Sequence, residues 1–213
     1  MTSLDSLDSL DSTEASARRT PTVVPEAPVG RTTGWWAMAL FIATEAAMFA
    51  AFLASYFYLR FGHQGPWPPT GDKPPHLLVS SIGTGILLLS CVPMFLSVRS
   101  ARRRPRGTAL LTLVAALGGI AFVVLQWIDW TEEWPASTMS KDAYGSMLYT
   151  ITGLHAVHVI LGVLMLGLLA LGSLLRGPRR AQGGAGAVVA MYWYFLSVLA
   201  VAVYLTVYIS PHV

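Results

Sequence analysis

Charge is scarce in this chain. Only 12% of its 213 residues are charged, while 54% are hydrophobic. A water-facing domain carries about 25% charged residues, so this composition cannot cover the surface of a soluble globule. Cysteine is almost missing: Cys91 stands alone inside an apolar run, which excludes a disulfide framework and a cysteine-built metal site. No glycine loop of the phosphate-binding kind occurs, nor a paired nucleophile and base, nor a reactive thiol site. A chain with no catalytic constellation of its own assists chemistry carried out elsewhere.

What is present in quantity is long apolar runs. Runs of about 20 such residues match the hydrocarbon thickness of a bilayer, and a backbone in lipid must satisfy its own hydrogen bonds, so they form helices. Barrel strands need only about ten residues each. The pattern predicts an all-α integral membrane protein, a bundle of five transmembrane helices over about Trp35–Leu59, Leu77–Val98, Thr108–Trp130, Tyr144–Leu175 and Ala185–Ile209. Residues 1–34 repeat Ser-Leu-Asp three times and are rich in Ser, Thr, Pro and acid. Such a segment buries too little apolar area to order itself, and it lacks the basic start and apolar stretch of a signal peptide. The expected division is a disordered cytoplasmic tail, 1–34, and a transmembrane domain, 35–213.

The net charge of +3 has a membrane explanation. One side of a five-span layout collects Arg18, Arg19 and Arg31, then five arginines from Arg99 to Arg106, then Arg176, Arg179 and Arg180; the other holds Arg60, Lys73 and Lys141. Basic loops stay in the cytoplasm, which predicts a cytoplasmic N-terminus and an outer C-terminus. It also leaves nucleic acid as a poor partner. Trp35 and Trp36 at one end, and Trp127, Trp130 and Trp134 at the other, suit interfacial aromatic belts. On the outer side, Pro66-Trp67-Pro68-Pro69 favours a stiff extended path. Asp129, Glu132 and Glu133 make an acidic edge, most simply solvated and alternatively a dock for a basic partner.

Polar residues inside the runs carry the functional signal. Glu45 falls near the middle of the first span, where an ionised carboxylate costs at least a few kcal/mol; it must be paired, hydrogen-bonded or protonated. At about 100° per residue it shares a face with Met38, Phe41, Met48, Phe49, Phe52 and Tyr56, opposite a face of alanines from Ala43 to Ala54. Small residues permit close helix contact, so the alanine face is expected to pack inward. The bulky face with Glu45 is then left for a groove, a lipid or a larger partner. His155 and His158, three apart, share a face of the fourth span. With no second ligand pair on another span, they read as buried hydrogen-bonding groups rather than a metal or haem site. Tyr194, Ser197, Tyr204 and Tyr208 form a hydroxyl stripe expected to be satisfied at a helix contact, and the glycines of the fourth span, Gly145, Gly153, Gly162, Gly167 and Gly172, read as packing sites.

Several motifs, in order along successive spans, resemble subunit III of the haem–copper cytochrome c oxidases. They are Thr44-Glu45-Ala46-Ala47-Met48-Phe49, the Thr84 to Ser90 stretch, Gln126 to Trp130 with Asp129 for that family's usual Glu, and Tyr144-Gly145-Ser146 followed by Thr152-Gly153-Leu154-His155-Ala156-Val157-His158-Val159. The resemblance covers about residues 35–209 and is closest to the short five-helix bacterial type. Tyr194 and Ser197 replace the His and Asp of the family's fifth-span motif, and Gly83 stands where Asn is common. These departures leave room for a divergent branch, such as a subunit III-like accessory of a quinol oxidase or nitric oxide reductase.

The resemblance implies a non-catalytic subunit of the aerobic respiratory chain, in a bacterial plasma (inner) membrane. It would carry no haem or copper, which belong to partner subunits. It would contact subunit I directly, join subunit II in the same complex and possible larger assemblies, bind phospholipid, and support proton uptake. Glu45, His155 and His158 become buried polar and lipid-cleft candidates; Asp129, Tyr194 and Ser197 become helix-packing polar residues; no catalytic or metal-binding residue is expected. The reading from another class is an autonomous proton or cation carrier using Glu45. The five spans show no repeat between halves of the kind such carriers usually have.

Overall fold

A computed structural model of the chain describes residues 32–65, 67, 77–100, 105–133, 143–176 and 184–212. The described residues are helical, with no strand among them. Helix α1 is Thr33–Gly62, α2 Leu77–Leu89, α3 Cys91–Ser100, α4 Pro105–Glu133, α5 Ala143–Arg176 and α6 Ala185–Val203. The last continues as a π-helical segment, Tyr204–Ile209, and a 3-10 turn, Ser210–His212. Five helical stretches are long and apolar enough to cross a membrane: Thr33–Gly62, Leu77–Ser100, Gly107–Glu132, Ala143–Leu175 and Ala185–His212. The expected spans agree with these to within three residues at each end. The tail 1–31, the prolines of the first loop and Trp134 lie outside the described residues.

The second span is two helices because Pro93 stands in it. Proline has no N–H to give the carbonyl of Leu89, four residues earlier, and its ring crowds that turn. The chain loosens at Ser90, whose backbone N–H still reaches Ile86 O at 2.9 Å while Met94 N reaches Ser90 O at 3.4 Å. The break leaves the Ser90 hydroxyl turned into the bundle, a position that matters below.

Helices α4, α5 and α6 form the centre, with α2 and α3 laid against α4 and α1 at the margin against α5 and α6. The core is organised around Trp193, which is fully buried. A Cβ added to Gly119 of α4 would stand 2.5 Å from the Trp193 ring, and one added to Gly162 of α5 would stand 2.9 Å from it. The indole therefore occupies the notch that two missing side chains provide. Its Nε1–H donates to Ser90 Oγ at 3.0 Å, so the proline break supplies the one polar partner that a buried indole requires.

The orientation of α1 reverses the sequence expectation. Its buried residues are Phe49 and Tyr56, on the face of Glu45, and Ala43, Ala46, Ala47, Ala50, Ala51 and Ala54 are exposed. The physical reason is the asymmetry of a lipid solvent. Alanine faces acyl chains at little cost, since lipid tails are as apolar as side chains. A carboxyl group facing them is expensive. The single acid decides which face turns inward, against the preference of six small residues. Among the fourth-span glycines, Gly162 packs under Trp193 and a Cβ added to Gly153 would stand 3.7 Å from the Trp130 ring, but Gly167 faces open space and is not a packing site.

Candidate functional site

Glu45 meets His158. Glu45 Oε2 lies 2.9 Å from His158 Nε2, with both side chains largely enclosed, at 16% and 11% exposure. The approach is at ion-pair distance without being an aligned hydrogen bond. The other ring nitrogen, Nδ1, is 2.7 Å from the carbonyl of Leu154, one turn earlier on α5. A carbonyl only accepts, so Nδ1 carries a hydrogen. The contact gives the mid-membrane carboxyl group a polar partner inside the chain, which lowers the cost of placing an acid there.

His155 does something different from its neighbour. It is 2% exposed, and neither ring nitrogen has a hydrogen-bond partner among the described residues. The imidazole stands edge-on to Phe49 and to Phe122, with centroids 6.4 and 5.4 Å away. Phe49 also faces His158, at 5.5 Å, so one phenyl ring contacts both histidines. Of the two histidines expected to be buried hydrogen-bonding groups, His158 is polar-partnered, and His155 is buried against aromatic rings with no hydrogen-bond partner among the described residues.

Asp129 belongs to the interior rather than to an acidic edge. It is 1% exposed. Its Oδ2 accepts from Tyr208 at 2.6 Å, from Ser80 at 3.1 Å and from Gln126 at 3.3 Å, and Gln126 also donates to the Tyr208 hydroxyl at 2.9 Å. Glu132 alone of the two described acids stays exposed on that edge. Because the π-helical segment widens the turn, Tyr204 and Tyr208 stack at 5.9 Å, and their hydroxyls reach Ser81 and Asp129. A second cluster at the same end ties Arg60 to Ser210 and Trp67 to Tyr56. Trp67 folds back onto the helices, edge-on to Tyr144 at 5.4 Å.

The hydroxyl stripe on α6 divides. Ser197 is buried, donates to Trp193 O and receives the Cys91 thiol, both at 3.0 Å. Tyr204 and Tyr208 are satisfied as above. Tyr194 departs from the expectation: its ring lines an open groove with Trp35 and Arg99, and its hydroxyl has no partner among the described residues. Sequence reasoning also missed Ser90, Ser80 and the Gly119–Trp193–Gly162 nesting. The signal present was Pro93 for Ser90; nothing in one span announces which glycine of another will receive an indole.

Chemically, the site pairs a carboxyl group with an imidazole at Glu45 and His158 and surrounds a second carboxyl group, Asp129, with three donors. Among the described residues no group of three His, Cys, Asp or Glu side chains comes together as a metal site.

Comparison with known proteins adds a consistent result. Residues 28–211 match the family model described as cytochrome c oxidase subunit III. The chain is similar to cytochrome c oxidase subunit 3 of Gallus gallus, 33% identical over 182 residues, and of Petromyzon marinus, 31% identical over 180 residues. It is 29% identical to the human protein over 179 residues. Each of these alignments covers 81% of this chain and 68% of the relative.

Proposed function

The chain belongs to the cytochrome c oxidase subunit III family, and from that premise we propose that it is a non-catalytic subunit of a haem–copper terminal oxidase. In this reading it packs directly against subunit I, with subunit II in the same complex. Haem and copper belong to those partners. It supports the catalytic subunit, binds phospholipid and assists proton uptake, in a bacterial plasma membrane with its N-terminus in the cytoplasm. Membership makes it part of an oxidoreductase assembly; the finer roles are our proposal.

The observation that carries the reading is the Glu45–His158 contact. It joins two helices by a polar pair, both members lying in the motifs that resemble the family, and it leaves the alanine face of α1 outward. That face is smooth enough for close approach by another helix, and the exposed arrangement of α1 suits a subunit that completes itself against a larger one. The carboxyl is committed inside the chain rather than lining a path through it, which favours an accessory subunit over a carrier.

Mild-detergent affinity purification from native membranes, followed by mass spectrometry and an absorption spectrum, tests this. We expect a haem-bearing partner rich in intramembrane histidines, together with a copper-binding subunit. Recovery of this chain alone, under conditions that keep other respiratory complexes intact, overturns it. The identity of the partner separates cytochrome c, quinol and nitric oxide branches.

A further inference from the structure

Tyr192 stands in α6 one residue before Trp193 and is fully buried. Its ring meets Phe41 of α1, with centroids 5.9 Å apart. Its hydroxyl donates to the backbone carbonyl of His158, on α5, at 3.4 Å. One side chain of a third helix thus touches both helices that carry the Glu45–His158 contact. Phe41 lies one turn before Glu45 on the same face, so the ring bears on the stretch of α1 that presents the carboxyl group. The hydroxyl bears on the very residue that presents the imidazole.

The contact needs such a brace. Helix α1 lies at the margin of the bundle with an alanine face outward, and lipid gives an apolar helix face little reason to hold one position over another. The 2.9 Å between Glu45 Oε2 and His158 Nε2 is therefore set by whatever fixes the two backbones. On one flank, Phe49 packs against both histidines. On the other flank, toward the start of α1, the bridging side chain is Tyr192. Its own place is fixed by its neighbour. Trp193 is seated over Gly162, one turn beyond His158 on α5, so consecutive residues of α6 engage consecutive turns of α5. The Tyr192-Trp193 step joins the packing of the core to the geometry of the polar pair.

We propose that Tyr192 is the positioning residue of the Glu45–His158 site. Through Phe41 and the His158 carbonyl it holds α1 and α5 at the spacing that keeps carboxyl and imidazole in contact. This role belongs to the contact itself and holds whichever complex the chain serves.

Solid-state NMR reads the contact directly. In the intact complex purified with this chain, isotope labels on glutamate carboxyl carbons and histidine ring nitrogens give a carbon–nitrogen dipolar coupling between Glu45 and His158, identified as the signal lost in Glu45→Gln. Tyr192→Phe keeps the ring on Phe41 and removes only the hydroxyl, and it is expected to weaken this coupling. The hydrogen bond removed is a long one, so the melting temperature is expected to stay near wild type. Phe41→Leu, at an exposed position, removes the other contact and is expected to weaken the same coupling. Tyr204→Phe removes a hydroxyl bonded to Ser81, away from the pair, and is expected to leave the coupling at wild-type strength. An unchanged coupling in either Tyr192→Phe or Phe41→Leu overturns the proposal. So does an equal loss in Tyr204→Phe, which would mark a general loosening. A loss in Tyr192→Phe that comes only with a melting temperature lowered by several degrees also overturns it, because the bundle rather than the spacing has then given way.

Discussion

Glu45 and His158 are each other's polar partner inside the membrane-spanning bundle, and the substitutions at these positions follow from that contact. In Glu45→Gln the amide keeps a polar group of the same size beside His158 Nε2, while the Nδ1–H remains on Leu154 O. Assembly and melting temperature of the purified complex are expected to stay near wild type, whereas Glu45→Leu leaves a buried nitrogen unpaired and costs about 1–3 kcal/mol. Loss of assembly in Glu45→Gln would show that the ionised form is structurally required. His155 behaves oppositely. Its ring nitrogens lie among phenyl rings with no partner among the described residues, so His155→Phe, which adds an edge-to-face contact and removes buried polar atoms, is expected to leave the melting temperature equal or higher. A drop of several degrees would mean that the imidazole has a polar duty there. Asp129→Asn keeps an acceptor for Tyr208 but loses the charge that strengthens three incoming hydrogen bonds; a loss of about 1–3 kcal/mol in thermal unfolding is expected.

At the scale of elements, the decisive fit is between α4, α5 and α6. Gly119→Ala and Gly162→Ala both place a methyl group inside the space of the Trp193 ring, and overpacking of this kind costs about 1–3 kcal/mol. Gly167→Ala, on the same helix but facing open space, is the matched control and is expected to unfold at the wild-type temperature. Trp193→Phe, although destabilising alone, should partly rescue Gly162→Ala, because the smaller ring vacates the collision; a double-mutant thermal series reads the coupling directly. The helices themselves were plainly legible: each span is a run of apolar residues bounded by charged residues, proline or glycine, and length against bilayer thickness is enough to find it. The break at Ser90 follows from Pro93, although Leu77–Val98 was read as one uninterrupted span. The rotation of α1 was misread, since small residues argue for close packing only if a helix is free to choose its face, and Glu45 removes that freedom.

For the whole molecule, the exposed alanine face of α1 is the surface that a complex has to account for. Placing a leucine at Ala47 or Ala51, both exposed, leaves this chain's own core untouched. Under the proposed packing against subunit I, the change is expected to weaken co-purification with the haem-bearing partner while the isolated chain keeps its melting temperature. Unchanged recovery of the complex would place the interface on another face.

The amino-acid sequence by itself determined the number and limits of the helices, the asymmetry of their basic loops, and the family motifs around Glu45, Asp129 and His155, because each of these is a property of residues close together in the chain. Only the tertiary structure decided that Glu45 pairs with His158 and not with His155, that Asp129 is enclosed by Ser80, Gln126 and Tyr208, and that Trp193 fills the space above Gly119 and Gly162. A helix fixes the angle between its own residues to within a few degrees, but its rotation about its axis is set by what the other helices present to it. In a bilayer, where apolar faces are nearly equivalent to their solvent, a few polar atoms and a few missing side chains set that rotation.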